Sequence, residues 1–276
     1  MVKTHPIRNR LLGYAFWAAV LVFGFEASFG HETRAEKPNL VVIFTDDQVH
    51  NAIGYDNPEV HTPHLDALAA EGVIFDKAYV ATPICAASRA SMMTGLFPQQ
   101  HGVIALAQKA FERQYWDGKE KAPQTLARLL SGAGYYTAAY GKSHLGKQVD
   151  YGFDEGAQTG PHDDVDTFAR MERFLADRAA SGKPFFLWLA PHQPSVPEWP
   201  AKRWLDLYDP QALTLPPNFR ISPLDESLNN QGVPGQHYYR DSSYRRNVGN
   251  LPAGPPRDRE LMRRFLQAYY AVVSHL

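Results

Sequence analysis

Asn39-Leu40-Val41-Val42-Ile43-Phe44-Thr45-Asp46-Asp47 is the stretch that decides the fold. An unbroken run of apolar and β-branched residues ends at two aspartates. A strand with apolar side chains on both sides of its pleat is buried on both faces, as in parallel sheets covered by helices. Ligands bind such sheets beyond the carboxyl ends of the strands, where Asp46 and Asp47 stand.

Outward from this run, helices and apolar strands alternate. Thr62-Pro63, then Leu65, Leu68 and Ala69, closed by Gly72, predict a helix with proline in its first turn. Residues 73–80 read as a strand, and residues 88–94 as a short helix stopped by Gly95. Residues 123–130 form an amphipathic helix that leads into a strand over residues 135–140. Residues 165–180 carry Phe168, Met171, Phe174 and Leu175 at helical spacing, and Gly182-Lys183-Pro184 separates them from the strand Phe185-Phe186-Leu187-Trp188-Leu189-Ala190. This alternation predicts an α/β fold, a largely parallel sheet flanked by helices.

From residue 191 to residue 256 periodicity gives way to Pro, Asn, Gly and Tyr, the texture of a lid or substrate wall. Trp199, Trp204, Tyr208, Tyr238 and Tyr239 in this stretch could stack on sugar or aryl rings, or simply pack. The last segment puts Leu261, Phe265, Tyr269, Val272 and Leu276 on one helical stripe, whose apolar face is expected to lack a partner.

The first thirty residues differ from the rest. Lys3, Arg8 and Arg10 precede an apolar run over residues 11–25, and Ser28-Phe29-Gly30 offers small residues for cleavage. This is the pattern of a secretory signal. The expected organisation is a signal peptide over residues 1–30 and one domain over residues 31–276, exported to the periplasm or secreted, with no stable membrane partner. A formal net charge of -1 over 276 residues provides no basic face for nucleic acid. A single cysteine, Cys85, excludes an intrachain disulfide and leaves either a buried small hydrophobe or a thiol kept for chemistry.

Three further groups carry candidate chemistry. Adjacent carboxylates such as Asp46 and Asp47 repel unless donors or a cation compensate, and oxygen ligands suit calcium or magnesium. Gly141-Lys142-Ser143-His144-Leu145-Gly146 follows a strand and sets a cation and an imidazole beside glycines that permit close backbone approach. Pro191-His192-Gln193-Pro194 directly follows the last strand. His101 and His61 read as structural. His162 with Asp163, Asp164 and Asp166 reads as a solvated helix start, since acids favour a first helical turn.

Thr82-Pro83-Ile84-Cys85-Ala86-Ala87-Ser88-Arg89-Ala90-Ser91-Met92-Met93-Thr94-Gly95 closely resembles the signature of the formylglycine-dependent sulfatases, Cys-x-Pro/Ala-Ser-Arg before a short helix ending in Thr-Gly. Ala87 stands where proline is commoner. The resemblance runs from about residue 38 to the end of the chain and implies the N-terminal part of an alkaline-phosphatase-like fold. It also implies a formylglycine made from Cys85 by a formylglycine-generating or sulfatase-maturing enzyme. One hydroxyl of the hydrated aldehyde attacks sulfur, and the other later loses its proton and lets the carbonyl re-form as sulfate leaves.

By the same resemblance, Asp46 and Asp47, with the oxygen on residue 85, would hold Ca2+ in preference to Mg2+. Lys142 would bind the sulfate oxygens and the nucleophile, His144 would hydrogen-bond the formylglycine hydroxyl and help in sulfate elimination, and His192 would protonate the leaving alcohol, while Arg89, one helical turn beyond Cys85, can hold the developing anion. The substrate would be a sulfated glycan or another small sulfate ester such as an aryl sulfate.

In the family, the pattern seen here as Tyr269-Tyr270-Ala271-Val272-Val273-Ser274 leads on to a second acidic metal pair and another lysine. The expectation is therefore that the C-terminal part of the fold is missing and that this chain alone is inactive or nearly so. Two other readings stand beside hydrolysis of sulfate esters: a phosphatase or phosphodiesterase of the same superfamily, and an inactive truncated remnant.

Overall fold

The computed structural model describes residues 37–105, 123–160, 164–195, 200–217, 219 and 259–276. The signal-like residues 1–30, His162, Asp163, Trp199, Tyr238, Tyr239 and the side chain of Leu261 lie outside the described residues.

Strands β1 (Leu40–Ile43), β2 (Tyr136–Gly141), β3 (Glu155–Ala157) and β4 (Phe185–Ala190) form one sheet in the order β1-β4-β2-β3. Every neighbouring pair is parallel, with Leu40 beside Phe186, Gly141 beside Ala190 and Ala138 beside Glu155. The helices are α1 (Pro63–Glu71), α2 (Cys85–Thr94), α3 (Pro98–His101), α4 (Leu126–Gly132), α5 (Asp164–Ala179), α6 (Lys202–Leu205) and α7 (Arg259–His275).

Side chains alternate across a strand, so β4 feeds two cores at once. Phe186 and Trp188 pack with Ala86, Ala87, Ala90 and Met93 of α2 and Ala127 of α4. Phe185, Leu187 and Leu189 face the other way, onto Phe174 of α5, with Phe168 and Met171 at its margin. The alanine face of α2 is what lets that helix lie close to the sheet. Burying each large apolar side chain of β4 stabilises the fold by roughly 1.5–3 kcal/mol.

The expected burial of both strand faces holds for β4 and nearly all of β2, and fails for β1. β1 is an edge strand. Val41 and Ile43, in register with Leu187 and Leu189, are 50% and 52% exposed because α5 covers the interior strands and not this one.

Other expectations also change. Residues 73–80 form no strand: Phe75 and Tyr79 are 79% and 88% exposed, because no described strand offers them a ladder. β3 is a strand that the sequence did not announce. Leu175, expected on the apolar stripe of α5, is exposed. Gly72 ends α1 in extended rather than left-handed backbone, at φ -113°.

The apolar face of α7 does have a partner. Leu266, Tyr269, Tyr270 and Val273 pack with Ala52, Val60, Tyr208 and Leu213. Tyr208 is spent on this packing: its hydroxyl accepts from the His61 amide at 2.9 Å and meets Ser274 Oγ at 2.5 Å. Trp204 is half-buried against His275, at 5.8 Å between ring centroids.

Candidate active site

All four strands point the same way, so the chain leaves β1, β2 and β4 at one end of the sheet, and backbone bonds lace these exits together. The Phe44 amide donates to Leu189 O at 2.8 Å, Lys142 to Ala190 O at 2.7 Å, and Asp46 to Gln193 O at 3.3 Å. The lacing brings Asp46, Lys142 and His192, far apart in sequence, to one buried edge. Gly141 makes the approach possible. Its φ is +98°, and a Cβ there would lie 2.1 Å from Ala190 O.

Helix α2 supplies the fourth element. Ile84 is extended and Cys85 is the first helical residue, so its Sγ sits at the partly positive helix N-terminus. The helix thus starts three residues before the expected position, placing the cysteine on it rather than ahead of it. Left-handed Gly95, at φ 70°, ends the helix with its N–H on Ser91 O.

One turn in, Arg89 is buried to 2% exposure, not a surface arginine. Its Nη1 donates to Lys142 O at 2.9 Å, its guanidinium lies 5.1 Å from the centroid of Phe44, and its Nη2 is 3.9 Å from Asp46 Oδ1. Burial lowers Arg89 to about 10. Its Nε and Nη2 have no hydrogen-bond partner among the described residues. Donors buried in this way carry a desolvation cost that an anion would relieve.

Lys142 Nζ contacts Asp46 Oδ2 directly. Burial pushes Lys142 down to about 8, and the negative charge of Asp164 acts in the opposite sense. The adjoining carboxylate of Asp46 favours the same protonated form, so the ammonium persists at neutral pH.

Ser143 shapes the turn that follows: its hydroxyl donates to Gly146 O at 2.6 Å and accepts from the Leu145 amide at 3.1 Å. The turn holds His144 at φ 55°, a strained conformation for a non-glycine residue. The imidazole Nδ1 then lies 3.0 Å from Cys85 Sγ. Burial first, and then the charges of Lys142, Arg89 and His192, lower His144 to about 4, so it is neutral at pH 7. Burial also raises the Cys85 thiol, against the Ala86 amide and Arg89, which pull it down. A thiol held protonated is a poor thiolate nucleophile.

His192 is fixed by a residue the sequence reading set aside. Asp164, first residue of α5, is buried and accepts from the His192 and Gln193 amides at 2.9 Å each. Its Oδ1 lies 3.5 Å from His192 Nδ1. Asp164 is therefore not part of a solvated helix start; the exit of β4 folds back over it. Of the two described members of that group, Asp166 does behave as expected, paired at 2.7 Å with Arg170 along the helix surface.

Tyr269, expected on the apolar stripe of α7, does more than pack: its hydroxyl donates to Asp47 O at 2.9 Å and accepts from the Val49 amide at 2.8 Å, pinning the loop after β1. His101 is structural as expected, meeting Ser91 Oγ at 3.0 Å and accepting the Val103 amide at 3.1 Å. His61 stays exposed, its ring 5.1 Å from that of Tyr208.

Asp46 and Asp47 bring two carboxylates to the end of β1, and the charge of Asp47 reaches Cys85 and Arg89. They do not make a cation site alone. Among the described residues no three His, Cys, Asp or Glu side chains converge as ligands, and the Asp46 carboxylate is already met by the Lys142 ammonium.

Comparison with known proteins follows the same outline. The family model described as Sulfatase matches residues 38–218. The chain is 34% identical over 169 residues to human N-sulphoglucosamine sulphohydrolase, covering 58% of this chain and 32% of that protein. It is 32% identical over 236 residues to an ulvan-active sulfatase of Formosa agariphila, covering 74% and 44%. The chain thus spans less than half the length of these relatives. A solved structure in complex with its substrate D-glucosamine-2-N,6-O-disulfate superposes with a TM-score of 0.62 at 21% identity, over 86% of this chain and 59% of that one.

Proposed function

Because the chain belongs to the sulfatase family, whose members imply a formylglycine and a divalent cation, we propose that its site hydrolyses sulfate esters through a formylglycine made from Cys85. The observation that carries this reading is the placement of Cys85. It stands at the start of α2, 3.0 Å from a neutral His144, beside the buried cations Arg89 and Lys142.

Such a residue, once matured and hydrated, supplies both the attacking hydroxyl and the hydroxyl that later expels sulfate. The chain's own side chains do the rest. The unpartnered donors of Arg89 and the Lys142 ammonium bind the sulfate oxygens and stabilise the charge that grows on them. His144, uncharged, accepts the proton of the hydroxyl on residue 85. His192 gives a proton to the leaving alcohol oxygen.

Calcium, in preference to magnesium, is the cation proposed to share Asp46, Asp47 and the oxygen on residue 85, with further oxygen ligands beyond these. The proposed substrate class is a sulfated carbohydrate, with aryl sulfates second; the two named relatives and the glucosamine disulfate complex support that order. A formylglycine-generating or sulfatase-maturing enzyme is the partner this chemistry requires. Export to the periplasm or medium rests on residues 1–30, and a mature N-terminus near residue 31 would bear it out.

The test is mass spectrometry of the Cys85 peptide after co-expression with a maturing enzyme. The expected result is loss of the thiol sulfur and gain of an aldehyde. An intact thiol, with sulfate-ester cleavage unchanged in Cys85→Ala, would overturn the reading.

A further inference from the structure

We propose that Asp164 is the positioning residue for the proton donor of this site: it locks the His192 ring with Nδ1 protonated and Nε2 turned toward the ester oxygen. This rests on the sulfatase reading only for what His192 does. The geometric claim stands on Asp164 and His192 themselves.

Three observations carry it. Asp164 is buried, at the end of α5 nearest the exits of β2 and β4, and it gives one oxygen to the His192 amide and the other to the Gln193 amide, each at 2.9 Å. The oxygen that holds the His192 amide is also 3.5 Å from His192 Nδ1, and this buried nitrogen has no hydrogen-bond partner among the described residues. His192 also lies near the reacting centre, since its charge is felt at His144, which touches Cys85.

Burial opposes ionisation of Asp164, but the His192 ring at 3.5 Å and the hydrogen bonds from the His192 and Gln193 amides outweigh it and hold the carboxyl below its ordinary value. Asp164 is therefore a carboxylate at working pH. A carboxylate beside Nδ1 favours the tautomer protonated there, and a 3.5 Å approach shortens when the ring becomes cationic.

The chemical consequence follows atom by atom. As the bond from sulfur to the ester oxygen breaks, its electron pair stays on that oxygen, which takes the proton from Nε2 of the imidazolium. The ring is left neutral with its remaining proton on Nδ1, facing Asp164. Without Asp164 the neutral ring reverts to a mixture in which Nε2 keeps the proton, and the alcohol departs unassisted more often. Leaving groups that need a proton suffer most.

The decisive measurement is the nitrogen spectrum of the imidazoles in the intact 15N-labelled chain, with His192 assigned by the signal lost in His192→Gln. The wild type should show neutral His192 protonated at Nδ1. Asp164→Asn should shift it toward the Nε2 form, and so should Asp164→Ser, which keeps a short acceptor for the helix end and one amide if the first variant folds poorly. The same tautomer in wild type and variants, with only the amide signals of His192 and Gln193 moved, would reduce Asp164 to a backbone clamp and overturn the proposal.

Kinetics of the matured protein provide the second arm. Asp164→Asn should lower kcat/KM for an alkyl sulfate about tenfold more than for 4-nitrophenyl sulfate, within the range of general acid catalysis; an equal loss on both esters overturns it. If matured wild type cleaves neither ester, the tautomer alone decides the Asp164 claim, and the sulfatase reading is decided by the aldehyde at residue 85.

Discussion

Gly141→Ala places a methyl group where the backbone leaves no room. The added Cβ would lie 2.1 Å from Ala190 O and 2.7 Å from Ala190 C, both main-chain atoms of the neighbouring strand, and 3.3 Å from Thr167 Cγ2. Neither backbone atom can swing aside, so β2 and β4 must part at their ends. Residue 141 also sits at φ +98°, where an L side chain costs about 1–2 kcal/mol. Overpacking adds about 1–3 kcal/mol, which brings the expected loss to about 2–5 kcal/mol.

Gly95→Ala is the matched control, because φ there is +70° but nothing lies within 4 Å of the added Cβ. It should cost only the backbone share, about 1–2 kcal/mol. Urea unfolding followed by far-UV circular dichroism measures both, as shifts in midpoint at constant slope. A Gly141→Ala loss no greater than that of Gly95→Ala would refute the claim that close approach of β2 to β4 builds this end of the sheet.

His144, neutral in the fold and lowered to about 4 from 6.5, must take up a proton on unfolding between these values. The unfolded state then binds more protons, so stability declines as pH falls from about 6.5 toward about 4. His144→Asn, which tolerates φ 55°, should flatten that part of the thermal midpoint against pH curve; an unchanged slope would contradict it. His101→Ala strips the Val103 amide and Ser91 of their partner in a buried position and should cost about 2–4 kcal/mol in chemical unfolding, a loss under about 1 kcal/mol arguing against a structural role. Val73→Ser and Phe75→Ser, on exposed side chains, should each leave stability within about 0.5 kcal/mol; a larger loss would mean that the segment is packed.

The central sheet was legible because β4 and β2 are continuous apolar runs, a pattern with few outcomes other than a parallel strand covered on both sides. The same pattern misled at β1 and at residues 73–80. Composition shows that a segment can be buried, but whether it is depends on a neighbour that local sequence does not name. β3 was illegible for a different reason: Glu155-Gly156-Ala157 is three residues long with a glycine at its centre, too little for alternation to show.

In the site, Cys85, Lys142 and His144 could be found because each lies in a short run whose residues act together. Asp164 could not. Its partners are 28 and 29 residues away, and its neighbours Asp163 and Asp166 imitate a solvated first turn. The usable signal was indirect: an acid opening a helix that must end beside the strand exits.

The buried charges explain why so much of the chain serves this edge. Arg89, Lys142, Asp46 and Asp164 are all nearly solvent-free, and groups of this kind are rarely a net gain for stability over apolar residues of similar volume. Asp164 is well compensated by two amides and an imidazole, whereas Arg89 keeps two donors that nothing described here satisfies. The imbalance leaves unpartnered donors on Arg89, whose charge reaches Cys85, and an anion would complete their bonding. Folding therefore carries an unmet electrostatic demand at the helix start, and the aromatic face of Phe44, the lacing of β1, β2 and β4, and the Tyr269 tether are what hold the groups in place despite it.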